Sequence, residues 1–190
     1  METKCIMIVG VGGQGTLLAS RIMGNVLISQ GHDVKVSEVH GMSQRGGSVV
    51  TYVKYGTKVY SPVIDKGEAD FIVAFEKLEA SRWLSYLKDG GTMIVNDQRI
   101  SPMPVITGAM TYPEDILEKI KNKGAKLIST DALALAAEAG NSKSVNVVLM
   151  GLLSRSMDFP ESAWQAALEA EVKPQFLELN KKAFELGRNV

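Results

Sequence analysis

Two short stretches combine residue types that could do chemistry. The first is GVGGQGT at residues 10–16. Gly10, Gly12 and Gly15 satisfy G-x-G-x-x-G, the spacing that turns a backbone sharply and offers N–H groups to a phosphate at a helix N-terminus. The same letters nearly spell a P-loop, with Thr16 after Gly15, but the lysine between them is absent. Two familiar nucleotide sites are therefore each partly written. Candidate cofactor contacts are Gly10, Gly12, Gly13, Gln14, Gly15 and Thr16, the backbone supplying positive dipole and the Gln14 and Thr16 side chains supplying hydrogen bonds. Glu38 stands where a ribose-binding carboxylate would lie. Glycines also permit a tight, well-packed turn with no ligand; an apolar strand before the turn and a helical pattern after it favour anion binding.

The second stretch is HGMSQRGGS at residues 40–48. It places an imidazole, a guanidinium, an amide and two hydroxyls beside the presumed ligand edge. Candidate partner- or substrate-contacting residues are His40, Met42, Ser43, Gln44, Arg45, Gly46 and Gly47. Arg45 can pair in bidentate fashion with a carboxylate or phosphate of a substrate or of a neighbouring subunit. Taken singly, Arg45 reads as a surface ion pair and His40 as a strand-end cap. Their concentration in one loop favours binding, because loops on rigid scaffolds carry such residues.

What is missing limits the reaction. Cys5 is the one cysteine, in the first predicted strand, and reads as a small buried hydrophobe. It cannot close an intramolecular disulfide, and an iron–sulfur cluster generally takes four cysteine ligands. Two histidines, His32 and His40, are too few and too poorly accompanied for a zinc site. No local motif suggests a Ser-His-Asp order. KDGG at 88–91 resembles the start of a thiamine-diphosphate motif but lacks its preceding glycine and downstream asparagine pair. A binding edge with little machinery is the profile of a subunit.

These residues need a scaffold. A chain of 190 residues, 45% apolar, can bury one substantial core, and the expectation is a single domain over 1–190. Lys plus Arg and Asp plus Glu are both 21, so no basic surplus invites nucleic acid. The apolar run near the start ends at glycine within a few residues, without a cleavage site, and nothing approaches a membrane span. The expectation is a soluble cytoplasmic protein.

CIMIVG reads as a strand buried on both faces of a parallel sheet. A helix follows over 15–29, with Gly31 as its stop, then a strand over 33–39, giving one β-α-β unit with the glycine turn at the carboxyl end of its first strand. SVVTYVKYGTKVYSP at 48–62 reads as a hairpin around Tyr55, Gly56 and Thr57, replacing a crossover helix. Strands are predicted over 69–75, 92–96 and 125–131, a short one over 104–108, and helices over 76–87 and 112–123. From Ala132 four helices follow, bounded by Asn141, Ser142, Pro160 and Pro174. The fold class is α/β: a three-layer, Rossmann-like, mainly parallel sheet with an inserted β-hairpin and a helical C-terminal third.

GVGGQGT, EVHGMSQRGGSV at 38–49, AFEKLEASRWLSYLKDGGTMIVN at 74–96, NVVLMG at 146–151 and LNKKAFELG at 179–187 together resemble the gamma-type subunit of 2-oxoacid:ferredoxin oxidoreductases, over nearly the whole chain. The QRGGSV form looks most like the small subunit of the indolepyruvate enzymes. The resemblance implies that thiamine diphosphate, magnesium and iron–sulfur clusters lie on a large partner subunit. That partner would oxidatively decarboxylate an arylpyruvate, pass electrons to ferredoxin and release an acyl-CoA, and this chain would not be active alone. It further implies that the glycine turn and the HGMSQRGG loop line the interface near the active site, where coenzyme A can be held. No acid, base or nucleophile is assigned. Two other readings stay open: a stand-alone NAD(P)-dependent dehydrogenase, resting on Gly10, Gly12, Gly15 and Glu38, and a non-enzymatic nucleotide- or CoA-binding regulatory protein.

Overall fold

The computed structural model describes residues 2–40 and 47–190, without the side chain of His40. Its strands are β1 (Lys4–Val11), β2 (Asp33–His40), β3 (Ser48–Gly56), β4 (Ala69–Ala74), β5 (Leu87–Asn96) and β6 (Lys126–Thr130). They form one sheet in the order β2-β3-β1-β4-β5-β6. β3 is antiparallel to both of its neighbours, whereas β1, β4, β5 and β6 pair in parallel. The helices are α1 (Thr16–Ser29), α2 (Lys77–Trp83), α3 (Met103–Ile106), α4 (Ile116–Asn122), α5 (Ala132–Ala139), α6 (Val145–Ser154), α7 (Glu161–Glu171) and α8 (Leu177–Arg188).

Alternation along the strands divides the core between two faces. Ile6, Ile8, Val73 and Phe75 pack with α1 and the four C-terminal helices. Met7, Val9, Ile72 and Ala74 pack with Ala80 of α2 and with Ile116 and Ile120 of α4. CIMIV lacks polar alternation because both faces of β1 are covered. β1 thus hands the chain to a helix on one face and β4, its parallel neighbour, hands it to the other. This is a topological switch point, where ligand crevices open outside the carboxyl ends of strands.

The expected hairpin around Tyr55, Gly56 and Thr57 is displaced. SVVTYVKYG is one strand, paired along its length with β1 on one side and β2 on the other. The hairpin is β2–β3, joined through residues 41–47. Beyond Gly56 the Val59 N–H donates to Asp33 Oδ2 at 2.8 Å, so a side chain satisfies the backbone that a returning strand would have paired. The insertion also separates β1 from β2, so the expected β-α-β unit has an antiparallel strand between its two parallel strands.

Two smaller expectations are corrected. The strand expected over 104–108 is the short helix α3, whose backbone bonds close locally: Val105 and Ile106 N–H donate to Pro102 O at 2.9 and 3.1 Å. The strand expected over 92–96 begins earlier, at Leu87, and takes in KDGG as an irregularity where the register jumps from Ala69↔Leu87 to Phe71↔Thr92. The C-terminal third is helical as expected. All ten residues of α6 are buried, and it meets α8 backbone to backbone. A Cβ on Gly151 would fall 2.2 Å from Phe184 O, and one on Gly187 2.1 Å from Val148 O. Only hydrogen at these positions allows the helices to approach so closely.

Candidate functional site

The glycine turn leaves β1 at the switch point and enters α1 at Gly15, whose φ of 84° and ψ of 25° lie in the left-handed region. A Cβ there would also sit 2.7 Å from Asn146 Nδ2, the group that donates to Gly15 O at 3.2 Å. Among the described residues no side chain caps α1, and no acidic residue occupies its first turn. The helix therefore offers N–H groups and the positive end of its dipole to a crevice of about 430 Å³ lined by Gly12, Gly13, Gly15, Thr16, Leu17, Glu38 and Val49.

Glu38 lies in the same wall although β3 separates its strand from β1. Its Oε1 accepts from Ser20 Oγ at 3.3 Å and Thr51 Oγ1 at 3.4 Å. Gln14 is engaged within the protein: its Oε1 accepts from Val11 N at 2.7 Å and its Nε2 donates to Phe75 O at 3.3 Å. Phe75 O also accepts from buried Asn96 Nδ2 at 3.1 Å, and Asn96 Oδ1 accepts from Ala132 N at 3.0 Å. A polar seam thus ties the turn and the ends of β4 and β5 to the start of α5.

On the other side of the turn lies a larger cavity of about 630 Å³, absent from the sequence reading. Val11, Gly47 and Ser48 face α2 residues Leu78, Glu79 and Arg82 across it, and the segment around α3 closes it with Ile100, Pro102 and Val105. Two buried carboxylates stand in its wall. Glu76, the N-cap of α2, accepts from Glu79 N and from Tyr112 Oη, the latter at 3.2 Å. Burial pushes the Glu76 carboxyl above the ordinary glutamate value, against backbone N–H donors including that of Leu78. Glu79 accepts from Ser48 Oγ at 2.5 Å and Trp83 Nε1 at 3.1 Å, and its Oε1 lies 3.3 Å from Arg82 Nε. The detectable signal was Glu76-x-x-Glu79 directly after a buried strand, the spacing of a capped helix start. That both carboxylates also line a cavity depends on where Ser48 and Tyr112 arrive from distant sequence.

Of the predicted loop residues, Met42, Ser43, Gln44, Arg45 and Gly46 lie outside the described residues, as does the His40 side chain. The loop's described flanks reach this edge: His40 is in register with Val49, and Gly47 O accepts from Gly12 N at 2.9 Å. The glycine turn, Glu38 and Gly47 are thus brought together.

The Cys5 thiol is buried in β1 and pushed up to about 11, first by burial, so it stays protonated at neutral pH. Among the described residues no group of three or more His, Cys, Asp or Glu could hold a metal ion. No described helix is long and apolar enough to cross a membrane.

The model of the family described as pyruvate ferredoxin/flavodoxin oxidoreductase matches residues 5–190. The chain belongs to this family. It is 45% identical to the indolepyruvate oxidoreductase subunit IorB of Thermococcus kodakarensis, over 98% of this chain and 95% of that protein. Its fold matches the pyruvate oxidoreductase subunit PORC of Thermotoga maritima with a TM-score of 0.76 at 19% identity, covering 100% of this chain and 97% of that one. The 2-oxoglutarate:ferredoxin oxidoreductase of Magnetococcus marinus, solved with 2-oxoglutarate, coenzyme A and succinyl-CoA, matches at 0.76 and 18% identity, covering 100% of this chain and 31% of its own. The chain is therefore the small subunit of a 2-oxoacid:ferredoxin oxidoreductase and works with a partner subunit. The family's mixed sheet and helical C-terminal region are those described above.

Proposed function

We propose that this subunit serves an indolepyruvate:ferredoxin oxidoreductase, in which a large partner carries thiamine diphosphate, magnesium and the iron–sulfur clusters. The carrying observation is the near full-length likeness to a subunit named for indolepyruvate. A lone protonated thiol gives the chain nowhere to store electrons, so arylpyruvate oxidation and electron transfer to ferredoxin fall to the partner, and the chain is inactive alone. Its own part is to bind and orient. The first turn of α1 presents N–H groups suited to a phosphate of coenzyme A, and Glu38 offers a carboxylate acceptor for a hydroxyl or amine in the same crevice. Arg45 of the HGMSQRGG loop is assigned to an anion of the ligand or partner.

The test is co-expression with a large subunit bearing thiamine and cluster motifs. The two should co-purify, and reduction of benzyl viologen by indolepyruvate with coenzyme A should require both. A partner fully active without this chain ends the reading, and a higher kcat/KM for pyruvate than for indolepyruvate ends its substrate assignment.

A further inference from the structure

The glycine-turn crevice and the 630 Å³ cavity are lined by consecutive residues of one short segment, and a buried carboxylate fastens that segment on the cavity side. Gly47 and Ser48 line the cavity, while the next residue, Val49, lines the crevice. The Gly47–Ser48 step is fastened from both sides. Gly12 N in the turn donates to Gly47 O at 2.9 Å, and Ser48 Oγ donates to Glu79 Oε2 at 2.5 Å. The Glu79 side chain is only 4% exposed, yet its three side-chain partners among the described residues come from two separate segments, Ser48 at the start of β3 and Arg82 and Trp83 on α2. Helix capping explains none of these, since the α2 cap is Glu76.

We propose that Glu79 is a positioning residue for the family's reaction: through Ser48 it fixes the wall between crevice and cavity, and so sets where coenzyme A is held against the glycine turn. This rests on the reading that coenzyme A binds at this edge. The path from α2 to the turn is continuous: Glu79 carboxylate, Ser48 hydroxyl, Gly47 carbonyl, Gly12 amide. The same carboxylate holds Arg82 Nε, leaving the terminal nitrogens of that guanidinium without a partner among the described residues, at the half-exposed side of the cavity. Displacing the Gly47–Ser48 wall would shift the Gly12 N–H away from its carbonyl and loosen the turn that leads into α1.

The experiment uses the complex with its large subunit and compares Ser48→Ala, Ser48→Thr, Glu79→Leu and the double variant Ser48→Ala/Glu79→Leu. Ser48→Ala removes the clamp while leaving the Arg82 and Trp83 contacts of Glu79 in place. It should raise KM for coenzyme A about fivefold, with a smaller loss in kcat. Ser48→Thr, which keeps the hydroxyl, should restore it. Because Glu79→Leu removes the same hydrogen bond that Ser48→Ala removes, the double variant should be no worse than Glu79→Leu alone. Amide exchange at Gly12 should quicken about tenfold in Ser48→Ala. An unchanged KM in Ser48→Ala, or losses that multiply in the double variant, overturns the proposal. Should the wild-type complex fail to turn over indolepyruvate with coenzyme A, the functional reading falls separately; Gly12 exchange still decides the clamp, and unchanged protection in Ser48→Ala refutes it.

Discussion

Glycine is used in opposite ways at two places along α6. Where α6 crosses α8, Gly151 and Gly187 remove side chains so that two backbones touch within a region of buried apolar residues. At the turn between β1 and α1, Gly15 supplies a left-handed backbone conformation beside Asn146, in a region of buried polar groups. The first arrangement spends glycine on packing density, the second on aiming N–H groups at a crevice. Both stretches stand out in the sequence as glycine-bearing motifs, yet only the second offers anything to a ligand.

The largest effect should come from breaking the helix–helix contact. Gly187→Ala puts a methyl group against Val148 O and should cost about 3 kcal/mol or more, read as a large fall in the thermal midpoint of the complex. If Gly187→Ala melts like the wild type, the helices have room to separate and the contrast drawn above is lost. Gly15→Ala combines an unfavourable φ with crowding of the Asn146 side chain, whose flexible end can give way. It should cost about 1–3 kcal/mol and weaken coenzyme A binding beyond what a general loss of stability produces, as calorimetry at a temperature where both proteins are folded would establish.

A smaller effect concerns the buried carboxylate at the cavity. The folded value of Glu76 is raised, chiefly by burial, above its unfolded value of about 4.3. Folding therefore favours the protonated carboxyl. Its stabilising contribution is complete below the unfolded value and is lost as pH rises through the folded value. Glu76→Gln keeps an oxygen for the Glu79 N–H and has no charge to lose. Its thermal midpoint should gain less than that of the wild type on acidification from pH 8 toward 5, and parallel curves would show that Glu76 is not the group responsible. The smallest stability effect should be that of Arg45→Ala, which leaves stability within about 0.5 kcal/mol of wild type, read as a nearly unchanged thermal midpoint, while impairing assembly or turnover. A large melting shift with normal assembly would assign Arg45 to packing.

Much of the scaffold was legible because its signals are local. The CIMIV run, the helical spacing after Gly15 and the boundaries at Asn141, Pro160 and Pro174 each report burial or backbone limits within a few residues. The hairpin was misplaced because Gly56 looks like a turn from its neighbours alone, whereas β1 and β2 both pair with the whole of β3. Gln14 was legible as a hydrogen-bonding group but not as one bound to Phe75, 61 residues away.

The sequence by itself determined that an α/β core would carry a glycine turn at a strand end, and that one thiol could not assemble a cluster. Both follow from composition and short-range spacing. Only the tertiary structure decided that β3 stands between β1 and β2, that Glu38 still shares a crevice with the turn, and that Glu76 and Glu79 line a cavity. Those facts depend on which distant backbones satisfy one another's hydrogen bonds and which buried carboxylates find donors, and neither is written in the spacing of neighbouring residues.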